Sequence, residues 1–272
     1  MADTISIFFV GDIVGDAGLE MANTFLPSLI TKYNADFVIA NAENSHEGFG
    51  TNRKIIKNLL ELGVDVVTGG DHSFDKWKVF DYMREHDHIL RPLNYPKGNA
   101  GLGFSIFPLK KDESIKVGVL NIQGRTFMKA IDDPFSAAEW ALEKIREETQ
   151  IIFVDFHAEA TAEKISMGWH IDGKASVLAG THTHIQTNDA RILPEGLGYI
   201  TDAGMTGSFD SCIGMDKKVA IKRFMTGVHQ KYKQAKGNNQ LSGVYAKVDV
   251  GSGKCVHIEP VTYPGLNNSI QG

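Results

Sequence analysis

Five short apolar runs in this 272-residue chain each lead into an acid or an imidazole. Asp12 follows Ile5 to Val10, Glu43 and Asn44 follow Phe37 to Ala40, and Asp71 and His72 follow Val64 to Thr68. His157 follows Ile151 to Phe156, and His182 and His184 follow Ala175 to Ala179. Runs of this length and composition read as strands, and in open α/β sheets a ligand binds outside the carboxyl ends of the strands. Carboxylates and imidazoles converging there are electrostatically costly unless cations occupy the middle. Imidazole with carboxylate suits Zn, Mn, Fe or Ni, and the absence of nearby thiolates argues against a structural zinc cage. Asp12, Glu43, Asp71, His157, His182 and His184 over-supply one cation. They fit two cations bridged by one carboxylate, with positions left for water and substrate oxygens. In His182-Thr183-His184, alternate residues of an extended stretch point the same way, so two imidazoles reach adjacent metals.

Each piece alone has an ordinary reading. Gly11-Asp12 is turn or helix-cap chemistry, Asn44-Ser45 is a turn, and a lone His157 is a hydrogen-bonded core histidine. Their joint occurrence at five strand ends favours the metal. His46, two residues past Asn44, is a candidate substrate contact. His86 and His88 lie at a helix end among Arg84, Glu85 and Asp87 and read as surface caps. His170, His229 and His257 read as structural, and Lys217-Lys218 with Lys222-Arg223 as a solvated helix face.

The elements that must position these groups alternate along the chain. Helices are expected near Ala17 to Tyr33, Asn52 to Leu62 and Asp75 to Glu85, after the first three strands. Gly103 to Pro108 and Lys116 to Ile122 read as a hairpin through the polar turn Lys110 to Ser114, which makes the sheet mixed. Pro134 opens a helix through Glu148, with Asp132 or Asp133 as cap and Trp140, Leu142 and Ile145 as an apolar core stripe. Further expected elements are a helix near Thr161 to Met167, a strand Gly198 to Thr201, a helix near Lys217 to Lys231 and a polar loop Lys236 to Gln240. A closing hairpin pairs Gly243 to Val250 with Cys255 to Val261 through Gly251 to Gly253. No repeat or linker divides the chain, so residues 1–272 read as one domain of two packed sheets with helices outside.

Composition bounds the function. With 42% hydrophobic and 22% charged residues the chain is an ordinary folded protein. Its net charge of −5 argues against a broad basic nucleic-acid groove and leaves room for a small anionic substrate. Two cysteines, Cys212 and Cys255, make no disulfide framework and suit a reducing cytoplasm. Met1 to Val10, with acidic Asp3 and a short apolar run, reads as neither signal peptide nor spanning helix, and no other segment suits a membrane. A homo-oligomer stays open.

Gly11-Asp12-Ile13-Val14-Gly15, Asn41-Ala42-Glu43-Asn44, Thr68-Gly69-Gly70-Asp71-His72, Asp155-Phe156-His157-Ala158-Glu159-Ala160-Thr161 and Gly180-Thr181-His182-Thr183-His184-Ile185-Gln186-Thr187 closely resemble the bacterial YmdB-like metallophosphoesterases. The resemblance runs on through Gln123-Gly124-Arg125-Thr126-Phe127, Asp132-Asp133-Pro134-Phe135 and Asp202-Ala203-Gly204-Met205-Thr206-Gly207. It implies a calcineurin-like αββα sandwich of two mixed β-sheets flanked by helices. It also implies a dinuclear iron or manganese centre, with zinc as the alternative, and phosphodiesterase activity on cyclic nucleotides, 2′,3′-cyclic species foremost. Residue by residue, the resemblance places Asp12 and His184 on one metal, Glu43 as bridge, and Asp71, His157 and His182 on the second. Asn44 would contact metal or phosphate, and His72 falls on the family's general acid. Two positions depart from the pattern: Asp71 stands where the family has Asn, and Val14 where the wider metallophosphoesterases have the His of D-x-H.

The expected chemistry follows. Two cations bind the non-bridging phosphoryl oxygens and hold a bridging hydroxide in line with the leaving oxygen, which His72 protonates. A phosphomonoesterase or nuclease using the same centre, or a regulatory nucleotide- or metal-binding protein with weak turnover, are the rival readings.

Overall fold

In the computed structural model, which describes residues 4–264, each apolar run becomes a strand whose two faces are both covered. Met1 and Asp3, used in reading the N-terminus, and positions 265–272 of the expected domain lie outside the described residues. The elements run β1 (Thr4–Val10), β2 (Asp12–Ile13), α1 (Gly15–Tyr33), β3 (Phe37–Asn41), α2 (Arg53–Glu61), β4 (Val66–Thr68) and α3 (Phe80–Glu85). There follow β5 (Phe104–Leu109), β6 (Asp112–Gln123), α4 (Pro134–Arg146), β7 (Ile152–His157), α5 (Thr161–Ile171) and β8 (Val177–Thr181). The last third holds β9 (Arg191–Ile192), β10 (Gly198–Ile200), β11 (Met205–Ser208), α6 (Lys217–Thr226), β12 (Asn239–Asp249) and β13 (Cys255–Tyr263).

Two mixed sheets result. The first is ordered β2-β11-β12-β1-β3-β4, with β13 also paired to β12; the second is ordered β5-β6-β7-β8-β10-β9. Within the first, β1, β3 and β4 are parallel, and within the second so are β6, β7, β8 and β10. Strands buried on both faces need near-continuous apolar runs, which is why β3, β7 and β8 show no polar alternation. Ile7, Phe9, Ile39 and Val244 of one sheet meet Val119, Phe153 and Val177 of the other in a core between the sheets. The opposite face of the first sheet packs on α1 and α2 through Leu26, Leu29, Ile56 and Leu59. That of the second packs on α4 and α5 through Leu142, Ile145, Met167 and Ile171. Helix, sheet, sheet and helix thus stack in four layers, the expected αββα sandwich.

Local chemistry sets the helix ends. Asn52 caps α2 by accepting from Ile55 N at 3.0 Å, and Asp133 caps α4 ahead of Pro134 by accepting from Phe135 N at 3.3 Å. The helix expected over Lys217 to Lys231 stops at Thr226, because Gly227 takes the left-handed conformation with φ 65°. The segment before α3 begins as a short 3₁₀ turn, Trp77–Val79. Trp140 departs from the expected core stripe. It is 52% exposed and packs edge-on against Phe104, while Leu142 and Ile145 are buried. Among the described residues no helix is long and apolar enough to cross a membrane.

Candidate metal centre

The carboxyl ends of β1, β3 and β4 in one sheet and of β7 and β8 in the other open on the same side of the sandwich. Their loops bring one ligand atom each from Glu43, Asp71, His157 and His182 within 4.8 Å of one another. His157 Nε2 stands at the middle, 3.1 Å from Asp71 Oδ1, 3.2 Å from Glu43 Oε1 and 3.0 Å from His182 Nδ1. Gly70 makes this approach possible, since a Cβ there would overlap Glu43 Oε2 and the His157 ring. Asp71 faces His157 and His182 directly, with His182 Nδ1 at 3.4 Å.

Asp12, Asn44 and His184 flank this group. Asp12 is fully buried; its Oδ2 accepts from His182 N at 3.1 Å, whereas its Oδ1 has no hydrogen-bond partner among the described residues. Asn44 Nδ2 donates to Glu43 Oε1 at 2.9 Å and to His184 Nε2 at 3.1 Å. A buried carboxylate oxygen without a partner is costly, and a cation is the partner that carboxylates and imidazoles jointly fit.

The imidazoles are oriented for that task from behind. His157 Nδ1 donates to Thr181 Oγ1 at 2.9 Å, because the Thr181 hydroxyl is itself donated to Asp155 Oδ1 at 2.7 Å. His184 Nδ1 donates to the Ile213 carbonyl at 2.9 Å. His182 Nε2 lies 3.2 Å from Glu159 Oε2. In each ring one nitrogen is thus tied to an acceptor and the other turned to the centre, the arrangement that fixes tautomer and direction in metal-ligating histidines. Asp155 also accepts from Asn41 and Thr68 of the other sheet, at 3.0 and 2.5 Å. Burial pushes its carboxyl up to about 6.

Electrostatics reports a demand for positive charge. Burial would lower the His157 pKa, but Glu43, Asp71 and Asp12 raise it well above its ordinary value. Burial works to raise Glu43 and Asp71; the charge of His157 outweighs it at Glu43, and hydrogen bonds from His157 and His182 outweigh it at Asp71, so both carboxyls fall below their usual range. Burial raises Asp12.

The His182-Thr183-His184 segment is strained. His182 has φ 99° and His184 φ 65°, in the left-handed region that side chains other than glycine rarely adopt. It is held by a fully buried ion pair: Lys164 Nζ donates to Thr181 O at 2.7 Å and to Asp202 Oδ2 at 2.6 Å. Asp202 Oδ2 in turn accepts from Thr183 N and Oγ1 at 3.2 and 2.8 Å.

His72 borders the cluster without joining it. Its backbone N donates to Glu43 Oε2 at 3.0 Å, its Nδ1 pairs with Asp75 Oδ2 at 2.7 Å, and its Nε2 is 4.0 Å from Asp71 Oδ2. The cavity over the cluster is lined by Glu43, Asn44, His72, Glu159, His182 and His184, among others. His46 is elsewhere: its Nδ1 meets Asn52, the cap of α2, at 3.1 Å, and it does not border this cavity. Arg223, expected on a solvated helix face, does border it. Asp75, Glu159, Lys164 and Asp202 went unassigned from sequence. The spacing His72-x-x-Asp75 was the signal available for the first.

A four-layer sandwich with acids and imidazoles gathered where both sheets end is the build expected of a metallophosphoesterase. The chain belongs to the YmdB-like protein family, whose model matches residues 8–261. It is 44% identical over 255 residues, covering 94% of this chain and 96% of the relative, to the 2′,3′-cyclic-nucleotide 2′-phosphodiesterase of Bacillus subtilis (strain 168). Among solved structures it is similar to a hypothetical protein from Thermus thermophilus, with TM-score 0.88, 37% identity and 95% and 99% of the two chains covered. It is likewise similar to a novel phosphatase of Mycoplasma pneumoniae, with TM-score 0.88, 33% identity and 96% and 94% covered.

Proposed function

We propose that the chain, acting as one domain, hydrolyses phosphodiesters of small cyclic nucleotides, the 2′,3′-cyclic class foremost. It would do so with two transition-metal ions, iron or manganese ahead of zinc, held by Asp12, Glu43, Asn44, Asp71, His157, His182 and His184. The observation that carries this reading is the meeting of two carboxylates and two imidazoles within 4.8 Å beside a buried, unpartnered Asp12 oxygen. The printed activity of the B. subtilis relative supports the choice of ester. Bound there, the ions would supply Lewis-acid activation of water and offset charge on the phosphoryl oxygens. Asn44 lines the cavity, and an ion taking its place at His184 Nε2 would free one Nδ2 proton for a phosphoryl oxygen. His72 lines the cavity with its Nδ1 paired to Asp75 Oδ2; in the imidazolium form its Nε2 would carry the proton that the leaving oxygen takes. Cys212 and Cys255 are both free, which supports a cytoplasmic site of action. The test is metal analysis of purified protein paired with turnover of a 2′,3′-cyclic nucleotide, a phosphomonoester and single-stranded RNA. Faster release from the monoester or the RNA than from the cyclic diester would overturn the choice of substrate.

His72→Ala is expected to keep its metal and to slow a cyclic nucleotide by about 10²–10⁴-fold. An activated aryl phosphodiester, whose leaving group needs no proton, should be slowed far less. Equal losses on both, measured as kcat, would remove the acid role. Asp71→Asn takes one negative charge from the centre. It is expected to weaken metal affinity in calorimetric titration and to lower KM for a cyclic nucleotide, because attraction for phosphate depends on uncompensated positive charge. Unchanged metal affinity would show that Asp71 holds no ion.

A further inference from the structure

The cavity over the cluster is larger than a phosphate requires and has two chemical ends. Its volume of about 380 Å³ sits toward the low end of the ~300–1,000 Å³ common to small-molecule sites. One end is the cluster with His72 and Asn44. Continuous with it, through the Phe49 ring that meets His72 edge-on at 5.0 Å, the lining turns apolar with Phe49, Ile213, Met215, Phe224 and Tyr232. Helix α6 turns Ala220, Arg223 and Phe224 into it, a spacing of three and four residues that places them on one helical face. Phe224 is 85% exposed, an unusual state for a ring on a helix beside a cavity. Tyr232 is fixed, its Oη donating to Gly214 O at 3.3 Å and its ring meeting Phe49 edge-on at 4.6 Å.

We propose that this end is a nucleobase platform, in which the base of the bound nucleotide stacks on Phe224 against the Phe49–Tyr232 corner, under the Arg223 guanidinium. The inference rests on the functional reading above and adds how the substrate is chosen. A ligand that fills both ends must be anionic at one and flat and aromatic at the other, which is the polarity of a nucleotide. Aromatic rings hold any base by its π-face, and arginine adds a cation–π contact. Ile221 and Met225 are exposed on the same helix without bordering the cavity, so Phe224 is set apart from them by its place on the cavity wall, and the oligomeric state is read beside the kinetics below.

The experiment compares 2′,3′-cyclic AMP with methyl riboside 2,3-cyclic phosphate, which lacks the base, on metal-loaded protein, and titrates adenosine 3′-monophosphate by calorimetry. Wild type should prefer the cyclic nucleotide. In Phe224→Ala that preference, as a ratio of kcat/KM values, should fall about 10-fold through KM, with a parallel loss of affinity for the monophosphate. Phe224→Trp should restore both. Equal kcat/KM for the two diesters in wild type, or an unchanged ratio in Phe224→Ala, overturns the platform. So does an unchanged ratio with an altered oligomeric state in sedimentation, which would assign Phe224 to a contact between copies. If neither diester is hydrolysed, the functional reading fails, and the monophosphate titration decides the platform: weaker binding by Phe224→Ala upholds it and unchanged binding removes it.

Discussion

Glu43→Gln is expected to fold, to retain less metal than wild type after dialysis, and to lose turnover of a cyclic nucleotide by about 10³-fold, the scale of several kcal/mol of lost charge stabilisation. The substitution keeps the shape of the side chain and removes its charge. Glu43 Oε1 lies 3.2 Å from His157 Nε2 and Oε2 accepts from His72 N at 3.0 Å, so both oxygens face the centre's donors and each is needed as an acceptor. An amide nitrogen in either place would oppose a donor. Elemental analysis of the dialysed variant checks the outcome; full metal content with full turnover would sink the bridging role.

Lys164→Met is expected to cost about 3–5 kcal/mol of stability, because it leaves Asp202 charged, buried and without its cation. Lys164 and Asp202 are both at 0% exposure, so solvent cannot replace the lost partner. Urea denaturation should show the loss directly, and Lys164→Met combined with Asp202→Asn should recover part of it. The single variant should also weaken metal binding, since the same pair clamps Thr181 and Thr183 on either side of strained His182. Equal stability of single and double variants would mean that the pair is not coupled.

Much of this site was legible because parallel strands buried on both faces write continuous apolar runs, and the residue that ends such a run marks the strand's carboxyl end. Asp12, Glu43, Asp71, His157, His182 and His184 all stand at those positions. Periodicity does not say which strands share a sheet. The pairing of β1, β3 and β4 in one and β7 and β8 in the other comes from tertiary packing. Short strands such as Asp12–Ile13 and Met205–Ser208 are held by their neighbours and have no period of their own. The supporting groups were harder still. Lys164 and Glu159 carry no spacing that sets them apart in the sequence; the fold buries the one and turns the other toward His182. The overrun of α6 had a plainer source, since Gly227 was available as a stop signal.

Glu43 and Asp71 belong to loops of one sheet, His157 and His182 to the other. The faces between the sheets meet through apolar packing, tied near the cluster by the bonds that Asp155 makes to Asn41 and Thr68 and that Asn121 makes to Gly69. An ion held by all four ligands would therefore act as a staple across the sandwich, closing its open edge against shear. At a free concentration of 100 times its dissociation constant such an ion adds about 2.7 kcal/mol to the folded state. Chelation should then reach beyond the cluster, lowering hydrogen-exchange protection together at the carboxyl ends of β3 and β7, two strands that share no backbone ladder.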